Sequence, residues 1–362
     1  MRIVKSILLN IFTGATVTTT VAMVAVAYSD RIHPVDHPLL ACVGLTFPFF
    51  LILNLILLMV WIMVCWRRAW IVLAGFLLSY PSIRIYVPLH FEAELPEDCI
   101  KVVSYNVANY TMDKVYKNPF DSVYAFLERQ NADIVCLQED CGKKNASMRS
   151  METLYPYNDT VHLNMPSIKS VNAVGIHTRY PILRKERINY ESRANGSVAF
   201  FLLIDRDTVI VVNNHLESNH LSEKDRKSYN DMITGGMNRE DTEAETKMLL
   251  NKLSESAVQR APQAEAVHRY VEAHRGYPII LCGDFNDNPI SYARRTIAEG
   301  LTDCYVESGN GPGITFYQRG FFFRIDQIMC SSHFTPYNCY VDNRVKGSDH
   351  YPVICWLKKN GM

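Results

Sequence analysis

Polar side chains recur at the ends of apolar runs. Asn106 follows KVVSY, Glu139 follows ADIVCLQ, Asn214 and His215 follow TVIVV, and Asp284 and Asn286 follow PIILCG. Asp326 stands within FFRIDQI, and Asp349 and His350 directly precede YPVICWL. A single polar residue at a strand end is the ordinary residue of a turn or cap. Termini that repeat Asp, Glu, Asn and His this often form a chemical set. Asp349 and His350 pose the sharpest case, because a buried ionisable group without a partner is strongly disfavoured.

The set suits one chemistry. Carboxylates such as Glu139 and Asp349 hold Mg²⁺ or Mn²⁺, with water filling the remaining positions. No cysteine joins the set, and the histidines are too scattered for a zinc motif such as HExxH. A hard cation beside carboxylates and imidazoles suits attack by water on phosphorus. His350, paired with a carboxylate, is suited to orient or deprotonate that water.

The elements that carry these residues are legible as runs. KVVSYNV (101–107), ADIVCLQE (132–139), AVGIHTRYPI (173–182), VAFFLLID (198–205), TVIVVNNHL (208–216), YPIILCGDFN (277–286), FFFRIDQIMC (321–330) and YPVICWL (351–357) read as strands. PFDSVYAFLERQ (119–130) has helical spacing. The polar stretch 217–275 reads as two or more helices, with AEAVHRYVEAH the clearest. Strands interspersed with helices predict a two-sheet sandwich flanked by helices. SEKDRKSYND (222–231) is expected to be a solvated helix surface rather than a lid. Phe321 and Phe323 share one strand face and are expected in the core. Arg260 and Gln263 share a helix face that either backs the site or is exposed.

In order along the chain stand SYNV with Asn106, LQE with Glu139, NNHLES with His215, GDFND with Asp284 and Asn286, RID with Asp326, and SDHYPV with Asp349 and His350. Together they resemble the endonuclease/exonuclease/phosphatase superfamily over about residues 100–358. The resemblance implies an α+β fold, a four-layered αββα sandwich of the deoxyribonuclease I type. It implies that Glu139 and Asn106 lie on the metal with Asp349 close by. Asp284 and Asn286 position the attacking water or the transition-state oxygens. His350 pairs with Asp326, and His215 stabilises phosphoryl oxygens or assists the leaving group. Arg179, in HTRYPI, has a mainly structural role. Where some nucleases of the group carry an Asp two residues after the first Asn, this chain has Ala108, which bears on a second metal position. The WxGDxNYR and PAWCDRI elements of the inositol phosphatases are absent.

Ahead of this region lies apolar sequence. Segments at about 7–27, 39–65 and 69–88 are candidate membrane spans, the third weakened by Pro81 and Arg84. The first also resembles a signal peptide. Arg2 and Lys5 precede the first span, and Arg67 and Arg68 separate the second from the third. Both pairs belong on the cytoplasmic side. Three spans then leave the rest of the chain extracytoplasmic, and two would reverse that. Cys136 and Cys282 read as buried free thiols, which favours a reducing compartment; the charge pattern carries more weight. Cys304, Cys330 and Cys339 leave a disulfide open.

Six of the 37 basic side chains but only two of the 37 acidic ones lie in residues 1–90, so residues 91–362 are net acidic by four. That balance lacks the basic excess of a non-specific nucleic-acid binder. The expectation is a multi-pass anchor (1–90), a polar linker (91–100) and a catalytic domain (101–358) that hydrolyses a phosphodiester or phosphomonoester with Mg²⁺. The substrate is a lipid head group, a small phosphorylated molecule or nucleic acid, and the bilayer is met through residues 1–90. A tethered nuclease is the alternative reading, and an inactive scaffold or receptor domain is a third. No protein partner is inferable.

Overall fold

The computed structural model describes residues 2–111, 119–140, 151–163, 172–192, 194–236, 238–318 and 321–361. Its strands form two six-stranded mixed sheets and one short ribbon. The first sheet has the order β13-β14-β1-β2-β4-β3. It uses β1 (Cys99–Asn106), β2 (Ile134–Gln138), β3 (Tyr157–His162), β4 (Ala173–Thr178), β13 (Phe334–Val341) and β14 (Val353–Lys359). The second has the order β5-β6-β7-β8-β12-β9. It uses β5 (Ile182–Ile188), β6 (Gly196–Ile204), β7 (Asp207–His215), β8 (Ile279–Asp284), β9 (Thr302–Asp303) and β12 (Asp326–Cys330). The ribbon joins β10 (Phe316–Gln318) to β11 (Phe321–Phe323).

Alternating residues of each central strand face opposite layers. Val102, Cys136, Phe200, Val211, Ile280 and Ile328 fill the space between the sheets. Val103, Tyr105, Val135 and Leu137 face outward, packed with Phe126 and Leu127 of α6 (Pro119–Gln130). Phe201, Ile210 and Leu281 face the other way, against Ala264 and Val267 of α8 (Arg239–Ala273) and Ile297 of α9 (Tyr292–Ile297). Burial on both faces explains why these strands read as unbroken apolar runs. The architecture is the expected four-layered αββα sandwich.

Topology gathers the chemistry. β1 and β2 are parallel, as are β7 and β8, so each pair delivers its C-terminal residues to one edge. β12 runs antiparallel to β8 and begins there, with Asp326 opposite Asp284. β14 runs antiparallel to β1, so the segment before it, with Asp349 and His350, returns to the same rim. Near that rim Gln138 donates to Asn213 Oδ1 at 2.7 Å, and Asn213 donates to the carbonyls of Leu137 and Gly175 at 3.0 and 2.9 Å. Asn213 is fully buried and bolts one sheet to the other.

Several expectations change. The run 321–330 is two strands, and its phenylalanines belong to the ribbon, outside the sandwich core. HTRYPI is a crossing between sheets: β4 ends at Thr178 and β5 begins at Ile182. Arg179 braces that corner through Asp133 at 3.3 Å, in keeping with a structural role. The polar stretch resolves into α7 (Glu223–Ile233) and the long α8. Pro262 lies inside α8, where it withholds an amide from the carbonyl one turn back. All nine cysteines among the described residues are free, with Cys304 and Cys330 Sγ 3.8 Å apart.

The N-terminal region is inverted relative to a soluble core. α1 (Arg2–Ala27), α3 (Phe47–Cys65) and α4 (Ala69–Leu78) pack together. Polar groups lie inside: Thr20 donates to Asn54 Oδ1 at 2.8 Å and Trp61 to Thr16 Oγ1 at 3.0 Å. Ile7, Ile11, Val21, Ile52, Ile56 and Met63 face outward and are exposed. Trp61 meets Thr16 and Asn54 meets Thr20, so α3 runs antiparallel to α1. Arg68 bonds to Leu9, and Ser82 bonds to Ala27, so the third segment runs back alongside α1. That segment is broken at Ser79, with α5 (Tyr80–Tyr86) completing it. Two helical stretches, Ile3–Arg31 and Pro38–Leu78, are long and apolar enough to cross a membrane.

This bundle is seated on the sandwich. Asp30 approaches Arg295 at 3.8 Å and His33 approaches Glu265 at 3.1 Å. Phe47, Tyr86 and Met23 cluster with Ile290. Gly44 sits in the turn between α2 (Pro38–Ala41) and α3, where a Cβ would collide with the Ile290 carbonyl.

Candidate active site

The rim residues converge on a cleft. Asn106, the last residue of β1, donates Nδ2–H to Glu139 Oε1 at 3.2 Å and to Asp284 Oδ2 at 3.0 Å. Its Oδ1 accepts from the Ala108 amide at 3.0 Å. Glu139 takes a left-handed turn directly after β2, with φ 54°. Asn109 donates to its other oxygen at 2.9 Å. Ala108, Asn109 and Tyr110 are themselves left-handed in succession, a conformation costing about 1–2 kcal/mol per residue. The strained turn aims Asn109 at Glu139.

Gly283 lets β8 press against β7; its φ is 134° and a Cβ would strike the Asn214 backbone. Asp284 follows, accepting from the Asn286 amide at 2.8 Å. Asn286 uses its side-chain amide on the Leu216 carbonyl at 2.9 Å, which fixes the loop after β8. Two imidazoles flank Asp284 Oδ2, each with Nε2 3.8 Å away: His215 and His350.

Their charge states differ. Burial holds His215 below the ordinary histidine range, against the pull of Asp284. Asn172 Nδ2 donates to its Nδ1 at 3.2 Å, which leaves the proton of the neutral ring on Nε2. His350 donates Nδ1–H to Asp326 Oδ2 at 2.9 Å. Burial opposes its charge, but the carboxylates of Asp326 and Asp284 overcome that and push the imidazole up to about 10. Burial and the neighbouring Asp326 charge push Asp284 up to about 6. Burial also raises Glu139, partly offset by the Asn106 hydrogen bond.

The donor set fits a hard divalent cation. Asp284, Asp326 and His350 bring ligand-type atoms within 4.8 Å of one another, but His350 is charged and bonded to Asp326, so the carboxylates, with Glu139 across Asn106 from Asp284, are the cation donors. Asp326 Oδ1 is buried with no hydrogen-bond partner among the described residues. Asn106 directs an amide donor between Glu139 and Asp284, the place where positive charge is most wanted.

Other contributors were not foreseen. Arg226 of α7 bonds to Gln318 of the ribbon and stands 3.8 Å from Asp349. Gln318 donates to Asp349 at 3.0 Å. Ser348 donates to the Asn106 carbonyl at 2.7 Å, tying the Asp349–His350 loop to β1. The signal that could have pointed to Arg226 is its spacing from Tyr229 and Met232, which sets the three on one face of α7. That face lines the cleft, so the stretch 222–231 is not merely a solvated surface. Arg260 and Gln263 are buried and back the site: Arg260 bonds to the Glu217 carbonyl at 3.0 Å and to Asp287 at 3.1 Å. Phe321 and Phe323 form cleft wall, with Phe321 stacked on Tyr229 at 4.2 Å.

Residues 103–350 match the Endonuclease/Exonuclease/phosphatase family, and residues 9–86 match a domain of unknown function. No curated protein matches the chain. Among solved structures, an endonuclease/exonuclease/phosphatase from Bacteroides vulgatus superposes with a TM-score of 0.52 at 16% identity, covering 73% of this chain and 100% of its own. Truncated Caenorhabditis elegans TDP2 gives 0.51 at 15% identity, with 73% and 99% covered. The human Nocturnin catalytic domain, with bound sulfate anion, gives 0.51 at 14% identity, with 72% and 95% covered. At these identities the likeness is one of fold.

Proposed function

Because the chain belongs to the endonuclease/exonuclease/phosphatase family, whose members are metal-dependent phosphoester hydrolases, we propose that it is a membrane-anchored, Mg²⁺-dependent phosphoesterase. The observation that carries this reading is Asp284, set between a neutral His215 and a charged His350 at 3.8 Å from each.

The roles divide by protonation state. Asp284, with a pKa near 6, is the group suited to accept a proton from water near neutral pH. His350 is charged and already bonded to Asp326, so it serves as donor to a phosphoryl oxygen rather than as base. His215 offers Nε2–H to the same oxygens or to the leaving group. Asn286 holds the loop that orients Asp284. Glu139 and Asn106 would hold the cation, with Asp349 beside them. When bound, the cation supplies charge neutralisation and polarises the phosphoryl group.

The anchor is read from the outward apolar faces and inward hydrogen bonds of the bundle. Read as three passes, α1, α3 and the α4–α5 segment would put the N-terminus and the catalytic domain on opposite sides. Arg2, Lys5, Arg67 and Arg68 then assign the catalytic domain to the extracytoplasmic face. Protease digestion of right-side-out and inside-out vesicles tests this; loss of the catalytic domain only from inside-out vesicles would reverse the orientation.

A tethered nuclease is the second reading, favoured by the Phe321–Tyr229 stack at the cleft, on which a base could lie. The deciding experiment is a panel of single- and double-stranded DNA, RNA, phospholipids, inositol phosphates and bis-p-nitrophenyl phosphate. EDTA-sensitive turnover that disappears in Glu139→Ala and His350→Ala is expected. No turnover of any ester, with no divalent cation bound, would make the domain an inactive scaffold.

A further inference from the structure

The catalytic cleft does not end at the sandwich. It is a cavity of about 720 Å³ whose walls come from three separate parts of the chain. Glu139, Asp284, Asp349 and His350 line it, and so do Leu249, Leu253 and Ala257 of α8, Met232 of α7, Phe321 of the ribbon and Leu45 of the N-terminal bundle. One cavity thus offers both charged groups for a phosphate and apolar side chains for hydrocarbon.

The N-terminal bundle contributes directly to this cavity. Ala41, Cys42, Leu45 and Thr46 line it, and Thr46 is followed directly by Phe47, the first residue of α3. The wall of the cavity therefore runs into a helix that is apolar enough to cross a membrane. Beside the cavity the apolar path continues on the surface, with Leu39 and Leu40 of α2 exposed at 54% and 52% and Leu250 of α8 at 41%. Tight seating keeps this alignment: Gly44, within the lining turn, has no room for a side chain.

We propose that the substrate is a phosphoester bearing a long hydrocarbon chain, taken from the bilayer surface, with its phosphate at Asp284 and His350 and its chain between α8 and the turn preceding α3. This rests on the phosphoesterase reading above and names its substrate class. Lipid monoesters and diesters share this chemistry, and the assay separates them.

The test uses the full-length chain in phosphatidylcholine nanodiscs with Mg²⁺. Two soluble series are compared, n-alkyl phosphates and p-nitrophenyl n-alkyl phosphates, from methyl to octyl and below micelle formation. In the series that is turned over, kcat/KM is expected to rise roughly two- to fourfold per methylene until the cavity is filled. Leu253→Asp and Ala257→Trp are expected to flatten that slope, a ratio that partial misfolding does not mimic. A flat slope in the unmodified protein overturns the inference while leaving the phosphoesterase reading intact. So does faster cleavage of single-stranded DNA than of the octyl ester.

Cavity occupation is read independently by an alkyl phosphate with a terminal diazirine, photolysed in EDTA. Adducts on residues 41–46 or 249–257 together with ester turnover support the inference; the same adducts with no ester turned over overturn the phosphoesterase reading and the substrate assignment with it, leaving a binding site for the hydrocarbon chain. Adducts confined to other surfaces overturn the inference.

Discussion

His350 and Asp326 are joined by a 2.9 Å hydrogen bond from Nδ1 to Oδ2, deep in the site and between segments that enter the rim from different sheets. The carboxylate fixes the ring so that Nε2 faces the cleft and Asp284. Asp326→Asn is expected to lower kcat on bis-p-nitrophenyl phosphate by about 10²–10⁴-fold, with little change in KM. Burial lowers the imidazole, but the carboxylates raise it from 6.5 to about 10. The raised value means that its stabilising effect is full below pH 6.5 and is lost as pH climbs through about 10. Thermal melts of wild type and His350→Ala across that window should converge at the alkaline end.

Metal binding should be pH-dependent with a definite sign. Asp284 is raised from 3.8 to about 6 by burial and by Asp326. In metal-free protein its contribution to stability is full below pH 3.8 and is lost as pH rises through about 6. A cation relieves this penalty only where the carboxylate is ionised. The rise in Tm on replacing EDTA by excess Mg²⁺ is therefore expected to be larger at pH 7.5 than at pH 5. Isothermal titration should show proton release on binding at the lower pH.

Glu139→Gln removes one negative charge without changing shape. It is expected to abolish most of the Mg²⁺-induced Tm rise and to reduce turnover at least about 10²-fold. Folding in EDTA should be unharmed, because burial already disfavours the charged carboxylate. An unchanged Mg²⁺ response would move the metal away from Glu139.

Asn213 tests how the sheets are held in register. Its replacement by Ala removes, in a fully buried position, the side-chain donor to the carbonyls of Leu137 and Gly175 and the shortest bond of the Gln138 amide. Destabilisation of about 2–4 kcal/mol is expected in urea melts of the protein.

Gly44→Val probes the seating of the bundle. The new side chain meets the Ile290 carbonyl and Ser29. A loss of about 1–3 kcal/mol and faster proteolysis of the turn around residues 41–46 are expected. Circular dichroism should show the helices of the bundle retained.

Much of this protein was legible before any tertiary contact was known. Strand ends carry their residue types in the sequence, and parallel strands bring like ends to like edges. Asn106, Glu139, His215, Asp284, Asp326 and the Asp349–His350 pair were accordingly visible as a set, and their order matched a family. The apolar segments were visible for a simpler reason: length and composition decide whether a helix can face hydrocarbon.

Tertiary structure decided the rest. Asn109 reaches Glu139 only because three residues turn left-handed, which no propensity indicates. Arg226 meets Asp349 and Gln318 across an interface between a helix, a ribbon and a loop, so its role has no local signature. Phe321 and Phe323 carry the pattern of core residues yet wall a cleft, because the ribbon leaves the sandwich. The return of the third segment along α1 is set by Gly75 packing against Thr20, whereas the break at Ser79 accompanies Pro81 in the first turn of α5, which the sequence does show. The joining of the N-terminal bundle to the cleft depends on residues 41–46 and α8, some two hundred positions apart, lining one cavity. Sequence records what each residue can do within its own element; which elements share a cavity is fixed only when all the layers have packed.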